Sequence, residues 1–143
     1  MATNTTDLKK ACIEIVEELQ TISRIRSAPE TPPVKSHLFP FVVTYPASGT
    51  YKQGPARVMT GLHNIVIELH VSAKDKPRGY GVIMDLVDVI PYELNLLLNA
   101  GGFSTIQTWD SIDYVLGSFA WMDVDTVGVK FTMIDVKVTK GLT

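Results

Sequence analysis

The residues best suited to chemistry are three histidines, His37, His63 and His70, and the nearby carboxylate Glu68. His63 and His70 are an odd number of positions apart in an alternating segment, so they point to opposite faces of a predicted strand and cannot share a metal ion without a bulge. Glu68 and His70 share a face and offer two ligands, whereas zinc sites use at least three protein ligands. A polar pair on the sheet is therefore the better interpretation of Glu68 and His70.

Other arrangements that support catalysis do not stand out. The sequence has no G-x-S-x-G, phosphate-loop or H-E-x-x-H motif. Asp85 and Asp88 are neighbours on a predicted helix, where a solvated face is the simplest interpretation. Cys12 lies on an apolar helical stripe and is interpreted as a small buried hydrophobe, not a nucleophile. We expect no enzymatic activity, no catalytic or metal-binding residues and no cofactor.

Composition predicts one domain spanning residues 1–143, because a chain of 143 residues with 45% hydrophobic residues can bury one core. The formal net charge of −2 does not indicate a nucleic-acid-binding protein. No apolar run is long enough for a membrane span, and the start MATNTTDLKK lacks the apolar stretch of a signal peptide. We expect no membrane partner and folding in a cytoplasm.

The charges are unevenly distributed, because residues 79–129 contain no lysine or arginine. The acidic residues of this stretch are Asp85, Asp88, Glu93, Asp110, Asp113, Asp123 and Asp125. One interpretation is a solvated acidic face. The other is a surface that meets a basic partner, or a pore lining that repels DNA phosphates. The densest basic cluster, at Lys74, Lys76 and Arg78, is more typical of a solvated corner than of a DNA-binding patch.

The first 26 residues predict one amphipathic helix, capped by Thr6 or Asp7. Residues 27–37 follow as a Pro-rich arm, because three prolines within five residues favour an extended chain. This arm is either a stiff connector or a segment that lies on a neighbouring subunit.

Residues 38–140 are expected to form the sheet and the second helix. Leu38–Tyr45 predicts a strand that is either an edge strand or begins after Pro40. Tyr45–Thr60 is rich in glycine and proline and predicts a long loop, mobile in a free subunit, that contacts a partner. Its candidate contact residues are Tyr45, Tyr51, Lys52 and Arg57.

Leu62–Ala73 alternates as a half-buried strand, with His63 to Val71 in phase on the core side. Asp75 caps a second helix that has Pro77 in its first turn. Pro91 predicts a kink or a restart of this helix, and Gly101-Gly102 predicts its end.

Ile112–Phe119 predicts a third strand, followed by a turn from Ala120 to Asp125. The candidate interface residues here are Trp121, Met122, Asp123 and Asp125, although Trp121 is equally compatible with closing the end of the core. Val124–Val138 predicts the last strand, with a β-bulge where its apolar phase slips at Met133-Ile134. The predicted fold class is α+β, a mostly antiparallel sheet of about four strands with two main helices on one face, in the order α-β-β-α-β-β.

An ordered set of motifs resembles the tail terminator (tail-completion) proteins of long-tailed bacteriophages. The set begins with Tyr45-Pro46, Gly61-Leu62-His63 and Glu68-Leu69-His70-Val71. It continues through Lys74-Asp75-Lys76-Pro77-Arg78, Val89-Ile90-Pro91, Gly117, Trp121, Asp125-Thr126-Val127-Gly128 and Phe131. The similarity covers roughly residues 29–138. The chain departs from the family pattern at Lys76, where leucine before the proline is commoner.

The resemblance implies a structural virion protein that forms a ring, usually a hexamer, at the head-proximal end of the tail. Such a ring ends polymerisation of the tail tube and provides the docking surface for the head connector or stopper protein. DNA passes through its pore without specific binding. Two alternatives remain open: another head–tail joining or tail-tube component, and a small cytoplasmic enzyme or ligand-binding domain.

A ring of this kind needs two complementary lateral edges. The acidic half of the chain is a candidate for one edge or for the pore lining. The complementary edge would then carry Lys74, Lys76, Arg78, Lys130 and Lys137.

Overall fold

The computed structural model describes residues 7–23, 25–26, 28, 39–53, 58–100, 113–123 and 126–141. The helices in this part of the chain are α1 (Asp7–Gln20) and α2 (Lys76–Asn99), and a 3-10 turn, Ala73–Asp75, leads into α2. The strands are β1 (Phe41–Gln53), β2 (Val58–Ser72), β3 (Asp113–Leu116), β4 (Ala120–Asp123) and β5 (Thr126–Gly141).

The strands form one antiparallel sheet in the order β1-β2-β5-β3, and β4 also pairs with β5. β3 and β4 therefore follow one another along the same side of β5. In the centre of the sheet, Leu69 of β2 pairs with Val42 of β1 and with Val129 of β5. This topology confirms the predicted α+β class with its mainly antiparallel sheet.

Both helices pack on one face of the sheet, which we call the helix face. The apolar residues of α1 and α2 repeat at helical spacing, and the apolar residues of β2 and β5 alternate along each strand. Each of the four elements therefore buries one side in the core. Fully buried side chains of this core are Ile15, Leu19, Ile65, Ile67, Leu69, Leu86, Ile90, Leu94, Phe131 and Met133. Burial of each contributes roughly 1.5–3 kcal/mol before the entropy of ordering is counted.

The prediction of a long loop at Tyr45–Thr60 is wrong for most of this segment. β1 continues through Gln53 and β2 begins at Val58, so the two strands form a long paired hairpin. Pro46 fits because β1 is an edge strand, and a register shift between Pro46 and Ser48 accommodates one extra residue. The expected mobile loop is thus replaced by paired strands, and residues 54–57 lie outside the described part.

The predicted third strand and the turn after it are also corrected. Two short strands replace them, β3 and β4, separated at Gly117–Phe119. The Gly117 N–H donates a hydrogen bond to the carbonyl oxygen of Lys130 at 2.7 Å. A Cβ at position 117 would lie 3.2 Å from that oxygen. This close approach to β5 marks the point where β3 ends.

Other features of the strands and of α2 agree in part with the predictions made from the sequence. β1 begins directly after Pro40 and is an edge strand, as predicted. The bulge is confirmed, because the register between β2 and β5 shifts between the pairs His63–Val136 and Ile65–Met133. The predicted restart at Pro91 does not occur, since α2 continues through it with Ile90 and Leu94 buried on either side.

Several expectations fall outside the described residues. They concern the Pro-rich arm except for the buried Ala28, the Gly101-Gly102 stop of the second helix, and Val124 as the start of the last strand. Within the described ranges, neither helix is long and apolar enough to cross a membrane.

Candidate interface site

The sheet face opposite the helices, which we call the open face, carries a chain of polar side chains. The Tyr45 hydroxyl of β1 donates a hydrogen bond to Glu68 Oε2 of β2. The other oxygen, Glu68 Oε1, lies 2.9 Å from His70 Nε2, and His70 Nδ1 lies 3.1 Å from Thr126 Oγ1. Lys130 Nζ is 3.8 Å from Glu68 Oε2. Both carboxylate oxygens of Glu68 therefore have partners.

The register of the sheet explains why these residues meet. Glu68 pairs directly with Lys130 on β5, and Tyr45 pairs with Val66, which places its ring diagonal to Glu68. Phe41 pairs with His70 and stacks on its ring, with centroids 4.4 Å apart and the planes 7° from parallel. This stacking and the two ring hydrogen bonds fix the orientation of His70, which is 6% exposed.

The hydrogen bonds of this arrangement hold its side chains in fixed positions. Glu68 and His70 bond each other, as the sequence predicted for a polar pair on one face. Among the described residues, no group of three His, Cys, Asp or Glu side chains could hold a metal ion. His63 lies on the helix face and His70 on the open face, so the predicted separation of these two histidines is confirmed.

Tyr45 is the most strongly perturbed member of this network. Burial, the hydrogen bond to Glu68 and the charge of that carboxylate together raise the pKa of Tyr45 to about 12. The phenol therefore stays protonated and donates to Glu68 at neutral pH. Because the folded pKa lies above that of the unfolded chain, this contribution to stability is complete below pH 10 and is lost as pH rises toward 12.

We expect the ultraviolet titration of the tyrosines at 295 nm to show a late component near pH 12. Tyr45→Phe should remove absorbance from that late component, because the variant lacks the phenol whose pKa is raised. Tyr114 is a second contributor to the late component, since burial raises its pKa as well. An undiminished late component in the Tyr45 variant would contradict this assignment.

His63 occupies a narrow slot on the helix face of the hairpin. A Cβ added at Gly49 would lie 2.5 Å from His63 Nδ1, and one added at Gly61 would lie 2.4 Å from Nε2. The ring of Tyr51 packs against the ring of His63 in an edge-to-face arrangement, with centroids 5.1 Å apart, and completes the slot. Burial lowers the pKa of His63, so its ring is neutral at pH 7. The two glycines in the hairpin are therefore explained by the room this ring needs.

Cys12 packs against the core from α1, as the sequence predicted, although it is only partly buried. Burial raises the pKa of its thiol to about 11. We expect iodoacetamide to alkylate it at pH 8 at least about tenfold more slowly in the native protein than in guanidinium, because the thiolate is the nucleophile. Equal rates in the two states would contradict the buried position.

The candidate interface residues lie in three separate places. Tyr51 and Lys52 lie in the hairpin, Lys74, Lys76 and Arg78 at the start of α2, and Trp121, Met122 and Asp123 in β4. Tyr51 and Trp121 are each 60% exposed, whereas the Tyr45 hydroxyl donates a hydrogen bond to Glu68. For Lys52, Lys76, Met122 and Asp123 only the backbone is described, and Arg57 and Asp125 lie outside the described residues.

The predicted basic edge is likewise distributed over the molecule. Lys74 and Arg78 are exposed at the start of α2, and Lys130 lies on the open face. Lys137 occupies a position opposite Leu62 in the hairpin region. Arg78 also lines a cleft of about 400 Å³ together with Arg26, Phe39 and Val82.

Sequence reasoning missed one surface, a ridge of exposed side chains on α2. Tyr80, Met84, Tyr92 and Leu96 are 49%, 57%, 62% and 47% exposed, and Asp88 is exposed between them. They recur every fourth residue, which forms one row along a helix. Their spacing was visible in the sequence, but the apolar residues on the buried side of α2 obscured it. Exposed aromatic and methionine side chains in a row are typical of protein interfaces.

No protein-family model matches the chain, and no curated protein shows significant similarity to it.

Proposed function

We propose that this protein is a structural virion component and not an enzyme: a tail terminator that forms a ring, most simply a hexamer, at the head-proximal end of a phage tail tube. The ring ends polymerisation of the tube and provides the docking surface for the head connector or stopper protein. DNA passes through its pore without specific binding. Assembly takes place in the host cytoplasm, and the mature location is the virion.

The observation that carries the proposal is the ordered set of residues that resembles the tail terminators. Gly61-Leu62-His63 and Glu68-Leu69-His70-Val71 lie on β2, the junction from Lys74 to Arg78 joins β2 to α2, and Gly128 lies on β5. These elements pack together as one unit. The shared residues also have physical roles here, since Gly61 makes room for His63 and Glu68 joins Tyr45 to His70.

The distribution of surfaces suits a subunit with several partners. A ring needs two different lateral surfaces, and each of its two ends meets another protein. The described chain offers a long exposed hairpin, an open sheet face with a rigid polar network, and the exposed ridge on α2. Such surfaces support the role of an assembly component over that of a catalyst.

A polymerisation assay tests the proposal. Tail-tube subunits of the same virus are allowed to polymerise with and without the purified protein, and tube lengths are measured by electron microscopy. A terminator is expected to stop elongation at one end of every tube and to remain bound there. Incorporation along the whole tube would instead indicate a tail-tube component, and no effect on length or end structure would overturn the proposal.

A further inference from the structure

The cleft of about 400 Å³ lies where the first turn of α2 meets the start of β1 and the end of β2. This volume is at the lower end of the range for small-ligand sites. Arg26, which follows α1, and Arg78 of α2 both line the cleft, and none of its described lining residues is acidic. Because arginine stays protonated at neutral pH, the lining includes two permanent positive charges.

The fold brings these two arginines together from distant parts of the sequence. The Arg26 N–H donates a hydrogen bond to the carbonyl oxygen of Pro40 at 2.9 Å, which ties the segment after α1 to the start of β1. Arg78 precedes Gly79, where α2 approaches the end of β2 closely. A Cβ at position 79 would lie 2.7 Å from Val71 Cγ2. Backbone contacts therefore fix the position of each arginine at the cleft.

Most of the remaining lining is apolar, which distinguishes the cleft from a solvated basic corner. The apolar residues that line it are Phe39, Pro40, Val71 and Val82. The ring of Phe39 packs against that of Phe41, with centroids 5.5 Å apart, so this side of the cleft is supported from within β1. A ligand can bury hydrocarbon against these residues while its charged group meets the arginines.

Two further features of the cleft favour a negative charge. Ser72 also lines it, and the Ser72 Oγ accepts a hydrogen bond from the backbone N–H of Lys74 at 3.2 Å. The hydroxyl can still donate its own proton to a ligand. The N-terminus of α2, which begins at Lys76, lies at the same place, and the positive end of a helix dipole stabilises anions.

We propose that this cleft binds a carboxylate that is attached to an apolar group. Arginine recognises carboxylates through two parallel N–H···O bonds, and the apolar lining accommodates the hydrocarbon beside the charge. A nucleic-acid backbone is a poorer ligand, because it requires a broader basic patch. The inference goes beyond the proposed ring and does not depend on it, since one copy of the chain forms the whole cleft.

Saturation-transfer NMR on the intact chain tests the inference with two acids. The first is N-acetylphenylalanine, a small free acid, and the second is the blocked tripeptide acetyl-Phe-Asp-Leu-amide, whose only carboxylate is a side chain. Each is compared with its uncharged counterpart, N-acetylphenylalanine amide or acetyl-Phe-Asn-Leu-amide. At least one acid is expected to bind about tenfold or more tightly than its counterpart. Preference for the free acid would indicate a small-molecule ligand, and preference for the tripeptide an acidic protein segment.

Variants of the lining locate the binding. Arg26→Gln combined with Arg78→Gln is expected to weaken binding of the preferred acid about tenfold or more. Val82→Phe keeps both arginines but reduces the space in the cleft, so it should weaken binding of the acid as well. Lys130→Gln is the matched control, because it removes a cation that does not line the cleft, and it should leave the affinity unchanged within about twofold. Circular dichroism verifies that each variant is folded.

Three results would overturn the inference. In the first, neither acid binds more tightly than its uncharged counterpart. In the second, the folded arginine variant binds the acid as tightly as the unmodified chain or the Lys130 control does. In the third, inorganic phosphate binds as tightly as the preferred acid, which would indicate a general anion site without a role for the apolar lining. Because none of these measurements involves rings or tail tubes, failure of the proposed function leaves this test unaffected.

Discussion

Replacing Gly128 by alanine is expected to destabilise the protein by at least about 3 kcal/mol, because it forces an atom into the backbone of the neighbouring strand. A Cβ at this position would lie 1.8 Å from the carbonyl oxygen of Leu69 and 2.9 Å from its carbonyl carbon. β2 and β5 are the two central strands, and His70 pairs directly with Gly128. The substitution therefore separates the strands where the core and the polar network meet.

Urea denaturation monitored by circular dichroism measures this effect. Gly81→Ala is the matched control, because a Cβ there meets nothing within 4 Å and the residue is exposed in α2. The control is expected to stabilise the protein by roughly 0.5–1 kcal/mol, since alanine is the better helix former. A Gly128 variant as stable as the unmodified protein would show that β2 and β5 are not packed in this register.

Replacing Glu68 by leucine is expected to cost roughly 2–3 kcal/mol of stability at pH 7. The carboxylate accepts the hydrogen bond of Tyr45 and bonds to His70, so its removal leaves both side chains without this partner. His70 is buried beneath its stacking contact with Phe41, which limits the access of water to the ring. The loss should appear as a lower midpoint of urea unfolding with an unchanged slope.

Two further variants separate the network from simple loss of charge. Lys130→Gln removes only the long ion pair between the exposed Lys130 and Glu68, and it is expected to change stability by less than about 1 kcal/mol. A double-mutant cycle between Tyr45→Phe and Glu68→Leu should give less than additive losses, because each change removes the same hydrogen bond. Additive losses, or a Glu68 variant as stable as the unmodified protein, would contradict the network.

The elements predicted correctly from the sequence are those whose apolar residues repeat at a regular spacing within one short segment. Ile83, Leu86, Ile90 and Leu94 repeat at helical spacing and are all buried on one side of α2. The alternation from His63 to Val71 likewise marks the core side of β2. The bulge was detectable because the apolar alternation of β5 slips by one residue at Met133-Ile134, and the extra residue returns Val136 to the core face of Met133.

The hairpin was missed because its stability depends on pairing between strands. Pro46 and Gly49 are typical of loops, and the glycine- and proline-rich composition of Tyr45–Thr60 predicted one. In the folded chain the edge position of β1 accommodates Pro46, while Gly49 and Gly61 make room for the ring of His63. Neither reason is visible until the register of β1 against β2 is known.

The candidate sites were predictable to different degrees for the same reason. Glu68 and His70 share a face by simple alternation, so their pairing could be expected. The partners Tyr45 and Thr126 come from two other strands, and only the register brings them to Glu68 and His70. The unequal distribution of charge was visible in the sequence, but the meeting of Arg26 and Arg78 at one cleft was not.

The most direct test of the tail terminator proposal is imaging of the purified protein by negative stain, with and without purified tail tubes, after its native mass has been measured. A tail terminator is expected to form closed rings of about six copies, each seated on one end of a tube. A protein that remains monomeric and ignores tube ends, at concentrations well above those in an infected cell, would contradict it.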